Sequence, residues 1–569
     1  MLALVVAGFA LWSLHARAWD LGRRSPVLSF DAAQYAVAAR ELAEHGRLAT
    51  TFALPIELAR HPEPPWPLAV VQPGLVLAEA AIEKLAPREI RLGRSRAIDL
   101  RTPARREWLT LLLPFACFLS LGVALAWMTV RLLARAAPAT GQPERVIAGL
   151  AIGGAFLLDP EAQHFAVGGF TELPYALGLV VAFYLLATGR ASRAPVLFGL
   201  LLGVTGTFRG NMLWAAPLLC AGAALLEPGA DRSTGGAGPH PRRWRVFALS
   251  MAGFAVPLAP WWIYKWSAFG TPAWDLSRLA IWDGVAGSTW FSLTHLPQSP
   301  EVPRGTEALA LIAGKLARNL GPLCSGMTLG PRGLWIGALA VWLVIGRSRA
   351  LRVAGAAILA HAGAAMLLAA LGASWLRYLF PARVPLEAAG ALALWALIGR
   401  APPTALGTGG QRAVRLAVVA LMLGSGAVQT VRGNREAREA AGARALPAVS
   451  TLETLAGWIA RELPGDAPVM SNLGPTLAWY ARRPVVHLAL TPADLDACRR
   501  RFDVRYVLLV FQRSERAWAG WSQVVDRPEE ATLERDWNVA RVRRWRSEDG
   551  FQVVWLELGP LRARPATRS

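Results

Sequence analysis

The sequence predicts a polytopic α-helical membrane protein with a small C-terminal α/β domain. Three observations predict it. Hydrophobic residues make up 54% of the 569-residue chain and charged residues only 17%, against about 25% charged in an ordinary soluble domain; mean hydropathy is +0.34. Apolar runs long enough to cross a bilayer recur along most of the chain, and they are continuous rather than alternating, which excludes a closed β-barrel. Beyond residue 431 these runs give way to short strand and helix patterns.

Taken in order, spanning or near-spanning helices are predicted at about 1–19, 108–133, 146–158, 173–188, 195–208, 211–226, 244–264, 331–346, 350–372, 379–398 and 413–431, about eleven in all. Several fall short of the about 17 residues of an upright span and need their flanks or a break near the interface. The first, MLALVVAGFALWSLHARAW, lacks a basic leading segment and a clear small-residue cleavage site, so it reads as a membrane helix rather than a leader. An odd count with the N-terminus inside puts the loops near 134–145, 189–194, 227–243, 346–352 and 399–412 in the cytoplasm. All carry Arg and little acid, as in ARAAPATGQPER and GRSRALR, in line with the positive-inside bias. The outer side receives the longer loops 20–107, 159–171 and 265–330, the short loop 373–378 and the C-terminal segment.

The formal charge of +21 therefore belongs largely to loops that orient helices and meet anionic lipid. No basic–aromatic pattern points to a nucleic-acid partner. Cys117, Cys220, Cys324 and Cys498 are scattered without a CxxC or a metal spacing, and the eight histidines show no HExxH, so redox chemistry and a dedicated zinc site are not expected. Many tryptophans lie near predicted helix ends (Trp108, Trp214, Trp261, Trp262, Trp375), where indoles suit the headgroup layer.

From 432 a polar connector, VRGNREAREAAGARALP, leads into a domain over 432–569. APVMSN, PVVHLAL, VRYVLLVF and FQVVWLELG read as strands. GPTLAWYA and TPADLDACRRRF read as helices, the second capped by Thr491. The alternation predicts a partly parallel sheet.

Polar residues at the outer ends of the apolar runs are the candidates for chemistry. SFDAAQYAVAARELAEHG, residues 29–46, is predicted as an amphipathic helix lying on the outer interface, with Asp31, Tyr35, Ala38 and Leu42 on one side. Asp31 either caps that helix or serves a reaction, since an acid so near a bilayer is costly unless used. Glu172, after Thr171 in GGFTELPYALG, has the same two readings. Asp159 and Glu161 in LLDPEAQHF form a D-x-E pair, either solvated or able to hold a divalent cation. Arg209 and Arg377, the latter beside Tyr378, fall on the outer side against the positive-inside bias. They either snorkel to headgroups or offer guanidinium forks to a phosphate.

Six stretches in order resemble the polytopic GT-C glycosyltransferases, the superfamily of protein mannosyltransferases that use dolichyl-phosphate mannose and of the aminoarabinose transferases. They are FDAAQYAVAARELAEHG, TELPYALGLVVAFYLL, GLLLGVTGTFRGNMLW, PLAPWWIYKWSAFGTP, RYLFPARVPL and DAPVMSNLGPTLAWYARRPVVHL. Two departures stand out. Asp31 is followed by Ala where the family often has Glu, and the family's Pro-Pro-Leu segment with a basic residue becomes ARHPEPPWPLAVVQPG, which places Arg60, His61 and Trp66 there.

The resemblance implies an inverting transfer of a sugar from a polyprenyl-phosphate donor to a hydroxyl acceptor (a protein, a glycolipid or a glycan) at the outer face of a bacterial inner membrane. Asp31 would be the base, with Glu172 orienting it or the acceptor. Arg209, Arg377, Arg60 and His61 would face the donor phosphate, and Tyr35 and Tyr378 would position substrate. No cofactor is required, and a divalent metal, with Asp159 and Glu161 as its candidate ligands, is the lesser expectation. A transporter or flippase for a lipid-linked sugar, gripping phosphate with the same arginines, and an inactive membrane scaffold are the alternatives. The clustering of charge at one face and the lack of an inverted repeat favour the enzyme.

Overall fold

The computed structural model describes residues 2–24, 26–59, 61–69, 71–87, 89–92, 96–227, 241–298, 301–328, 331–372, 374–400, 403–442, 446–465, 467–501, 504–512, 519–527 and 538–560. After α1 (Leu2–Arg24), the first long loop folds into α2 (Phe30–His45), the two-residue strands β1 (Ala49–Thr50), β2 (Phe52–Ala53) and β3 (Trp66–Pro67), and α3 (Pro73–Leu85). The hairpin β4 (Glu89–Leu92) and β5 (Arg96–Asp99) and helix α4 (Pro103–Thr110) complete it. The apolar body then runs through α5 (Leu112–Ala136), α6 (Gln142–Leu157), α7 (Pro160–Val167), α8 (Glu172–Ala187), the single turn α9 (Arg190–Arg193), α10 (Pro195–Phe208), α11 (Met212–Leu226) and α12 (Pro241–Phe269). It continues through the short helix α13 (Trp290–Thr294), then α14 (Gly305–Thr328), α15 (Pro331–Ile345), α16 (Arg349–Leu371), α17 (Phe380–Ile398) and α18 (Pro403–Gly442).

Each of the eleven predicted apolar segments is helical. Among the described residues five helical stretches are long and apolar enough to cross a membrane alone, and α14 with α15 forms a pair bent by 85° that passes together. α14 lies in the stretch 265–330 expected as outer loop, and α18 carries the expected connector in helical form as far as Gly442. Leu4, Val123, Leu197, Ile263, Val344 and Val428 stay exposed on the outside of the bundle, as lipid-facing residues should. The chain is a multi-pass membrane protein.

Lipid supplies no hydrophobic drive between helices, so they approach through small residues. A Cβ on Gly199 or Gly203 of α10 would collide with the α12 backbone at Ser250 and Phe254, and one on Gly253 of α12 with Val196 of α10. Gly149 and Gly153 of α6 meet the α5 backbone at Ala126 and Gly122 in the same way. At one end of the bundle the Arg-rich loops tie together. Arg400 donates to the carbonyls of Ile345 and Ala136, Arg349 to that of Leu225, and Arg415 pairs with Glu144.

The remaining elements are α19 (Val449–Glu462), β6 (Val469–Ser471), α20 (Gly474–Ala481), β7 (Val485–His487), α21 (Pro492–Arg501), β8 (Tyr506–Phe511), α22 (Ser522–Asp526), β9 (Val539–Arg546) and β10 (Gln552–Leu558). The six-stranded sheet has the order β2-β7-β6-β8-β10-β9, parallel from β2 to β8 and antiparallel thereafter. Thr491 caps α21 as predicted, its Oγ1 accepting from the Asp494 amide. β2 comes from the first long loop, where two residues give no periodicity to read.

α2 does not lie flat on the interface. It packs between α3 and α20, and Ala32, Ala33, Ala36, Val37, Ala38 and Ala39 are all buried. Arg40, which is not on the side shared by Asp31, Tyr35, Ala38 and Leu42, is buried too. Its guanidinium donates to the carbonyls of Trp479 (2.7 Å) and Ala478 (3.0 Å) and covers the Trp479 ring. Gly46 ends the helix in the left-handed region (φ 68°), its N–H donating to Leu42 O.

Candidate active site

The start of α2 is capped by Ser29, whose hydroxyl accepts from the Ala32 amide (3.3 Å). The cap reading of Asp31 is therefore corrected. Asp31 sits in the first turn, its carboxylate unused by the helix, and accepts from Arg377 Nη2 at 2.7 Å. Arg377 comes from the short turn Leu376–Leu379 between α16 and α17, 346 residues away in sequence. Both side chains are about one-third exposed. Arg377 Nε is buried and makes no hydrogen bond.

Glu172 opens α8 and pairs with Arg209 Nη1 at 2.7 Å. Arg209 follows directly on α10, where the helix stops and the backbone becomes extended. This pair is the enclosed one, with Glu172 only 4% exposed. Thr171 makes no capping bond to α8; its side chain faces the Tyr35 hydroxyl. Burial pushes the Tyr35 hydroxyl above its ordinary range, with Arg209 opposing and Glu172 and Asp31 reinforcing the shift. The phenol stays protonated and available as a donor.

Tyr378 joins the two pairs. The Arg377 guanidinium lies 5.3 Å and the Arg209 guanidinium 5.5 Å from its ring centroid. Arg377 also stands 4.9 Å from the Trp375 ring, which stacks on Tyr378, and 5.8 Å from Phe170. Six predicted residues (Asp31, Tyr35, Glu172, Arg209, Arg377 and Tyr378) thus meet at one place. It lies at the end of the bundle opposite the Arg-rich loops. The snorkelling reading of both arginines gives way to ion pairing.

The other predicted residues stand elsewhere. The His61 ring bonds Ala268 O (2.7 Å) and meets Phe269 edge-on, at the C-terminal end of α12. Arg60 lies outside the described residues. Asp159 caps α7 through the amides of Glu161 and Ala162, and Arg383 bridges Asp159 (2.5 Å) and Glu161 (2.7 Å). Glu387 joins the same guanidinium at 3.4 Å and binds Arg332 at 3.0 Å. A guanidinium thus occupies the space between the two candidate metal ligands. Among the described residues no group of three His, Cys, Asp or Glu is arranged to hold a metal ion.

Along the sequence Thr171 stands only as a residue suited to a helix start, and Phe170 and Arg383 carry no expectation. For Arg383 a signal existed, since a charge inside an apolar helix is a functional or pairing site by default. For Phe170 none did.

This architecture recurs in solved structures. ArnT from Cupriavidus metallidurans bound to undecaprenyl phosphate matches with a TM-score of 0.53 at 14% identity, over 97% of each chain. Its apo state matches at 0.53 and 15%, again over 97% of each. The chain has the GT-C fold. An oligosaccharyltransferase from Archaeoglobus fulgidus, in complex with zinc and sulfate, matches at 0.47 and 14%, over 96% of this chain and 72% of that one. No protein-family model and no curated protein matches the sequence. Within this fold, the acid–arginine cluster sits where the first long loop meets the ends of α8, α10 and α17.

Proposed function

We propose that this protein is an inverting glycosyltransferase that moves a sugar from a polyprenyl-phosphate donor to a hydroxyl acceptor on the outer side of a bacterial inner membrane. The observation that carries the reading is the half-open Asp31–Arg377 pair, backed by the enclosed Glu172–Arg209 pair across Tyr378. The likeness to the ArnT structure bound to undecaprenyl phosphate supports the donor class. The Arg-rich loops at the opposite end support the outward orientation, because positive loops stay in the cytoplasm.

In this reading the donor phosphate binds the Arg377 fork, whose Nε has no partner, and competes with Asp31 for it. Donor binding then loosens the base it needs. Asp31 takes the acceptor's proton as the acceptor oxygen attacks the anomeric carbon. The bond from that carbon to the phosphate oxygen breaks, and its electron pair leaves with the phosphate, held by Arg377 with Arg209 behind it. The sugar inverts in one displacement, so a second carboxylate at glycosidase spacing is not needed. Glu172 keeps Arg209 in place.

Asp31→Asn in membrane vesicles supplied with a polyprenyl-phosphate sugar is expected to keep donor binding and lose at least about 10²-fold in transfer. Transfer near the wild-type rate would remove Asp31 from the role. Arg377→Ala is expected to weaken the donor titration, and an unchanged titration would remove the phosphate site.

A further inference from the structure

Helix α7 leads into the loop that carries Phe170 and Thr171, and one of its side chains differs from its neighbours. Ala162, Gln163, Phe165, Ala166 and Val167 are buried, whereas His164 among them is exposed. The chain after α7 is clamped on the first turn of α2. The Ser29 hydroxyl donates to Gly168 O (3.4 Å). Gly169, in the left-handed region (φ 70°), comes so near that a Cβ there would meet the Ala32 side chain at 2.9 Å. This places the end of α7 beside the turn that carries Asp31. The His164 ring centroid lies 5.5 Å from that of Phe170, the same ring that the Arg377 guanidinium approaches at 5.8 Å. An anion held by Arg377 is therefore within a side-chain length of the imidazole.

Among the described residues neither nitrogen of the His164 ring makes a hydrogen bond; the ring packs on Phe165 and Phe170. The carboxylates around it are taken by guanidiniums. Arg377 holds Asp31, Arg209 holds Glu172, and Arg383 holds Asp159 and Glu161. The charged groups that act on the imidazole are Arg17 from α1, Glu172 from α8 and Arg377 from the turn before α17, while α5, α6 and α18 add none. Crowding by the surrounding chain, then Arg17, lowers the His164 pKa below its ordinary value; Glu172 opposes and Arg377 reinforces the shift. The free ring is therefore neutral at pH 7, and a partner for it has to come from outside the chain. An anion reverses the balance, because an opposite charge nearby favours the imidazolium. The donor phosphate is such an anion. Breaking its bond to the sugar leaves one further negative charge on it, which a charged donor stabilises more than a neutral one. An uncharged hydroxyl would leave the ring's protonation as it is, so pH dependence separates the two kinds of ligand.

We propose that His164 is a further ligand of the donor phosphate, beside Arg377, and that it takes up a proton from water as the phosphate binds. The inference rests on the reading of Arg377 as the phosphate site. The test titrates the full-length protein in lipid nanodiscs with undecaprenyl phosphate, in steps from about pH 8 to about pH 5.5, for wild type, His164→Gln and His164→Ala. The lipid's own second ionisation, near about pH 6, enters all three alike, so the ratio of wild-type to variant affinity reports the imidazole. At the alkaline end that ratio is expected to be close to one for His164→Gln, which keeps a neutral donor, and about two- to threefold for His164→Ala. At the acid end it rises to at least about tenfold for both. His164 is exposed, so both variants are expected to fold as wild type does.

A ratio that stays at one throughout makes His164 a solvated rim residue and overturns the inference, while a titration weakened by Arg377→Ala keeps the phosphate site. A ratio above one that does not move with pH overturns the proton uptake. Affinity for the lipid that is unchanged in Arg377→Ala overturns the phosphate site, and the role of His164 with it.

Discussion

Asp31 and Glu172 are both first-turn carboxylates facing an arginine, yet their surroundings separate them. Glu172 is enclosed, so its pair with Arg209 also bears on stability. Removing Arg209 leaves a buried charge uncompensated, which costs about 3–5 kcal/mol, whereas an exposed pair is worth about 0–1 kcal/mol. Arg209→Ala is therefore expected to lower the thermal midpoint of the purified protein clearly, and Arg377→Ala to leave it nearly unchanged. Adding Glu172→Gln to Arg209→Ala recovers part of the loss. Equal effects of the two single substitutions would mean that the pairs are alike in depth.

At the scale of elements, two contacts make separate predictions. α10 and α12 meet through glycines whose replacement strikes backbone rather than a yielding side chain. Gly203→Ile is expected to cost about 1–3 kcal/mol or more, read as a lost thermal midpoint or lost folded yield. A variant as stable as wild type would show that the two helices can separate.

The second contact joins α13 to β7. His295 Nε2 and His487 Nδ1 stand 2.5 Å apart, both rings buried. Burial holds His295 down at about 4 and His487 well below its ordinary range. An unfolded histidine takes its proton near 6.5 while the folded pair does not. The pair's contribution is thus present above about pH 6.5 and is lost as pH falls toward 4. Wild type is expected to lose more stability than His487→Gln over that window in paired thermal melts at each pH. Parallel curves would show that the pair does not titrate in it.

For the whole molecule, α2 joins the membrane bundle to the C-terminal sheet. It presents Asp31 to the bundle, packs on α3, and sends Arg40 into the backbone of α20, while β2 a few residues on becomes the edge strand of the sheet. The geometry of the site therefore depends on the C-terminal domain. Arg40→Ala is expected to raise hydrogen exchange across residues 30–45 and to reduce transfer while the exchange of the membrane helices stays unchanged. Unchanged exchange in α2 would separate the C-terminal domain from the site.

The sequence by itself determined the helical membrane class, the apolar segments, the partly parallel sheet and the Arg-rich end, because continuous apolar runs, period-two strands and loop charge are local properties of the chain. It also singled out Asp31, Glu172, Arg209 and Arg377, which gather around Tyr378, since an acid or an arginine at the end of an apolar run is costly wherever it stands. Only the tertiary structure decided which acid faces which arginine, that Ser29 and not Asp31 caps α2, that Arg383 fills the gap between Asp159 and Glu161, and that β2 crosses to the C-terminal sheet. Those outcomes depend on side chains brought together over tens to hundreds of residues. A cap, an ion pair and a metal ligand look alike along the chain until packing chooses the partner.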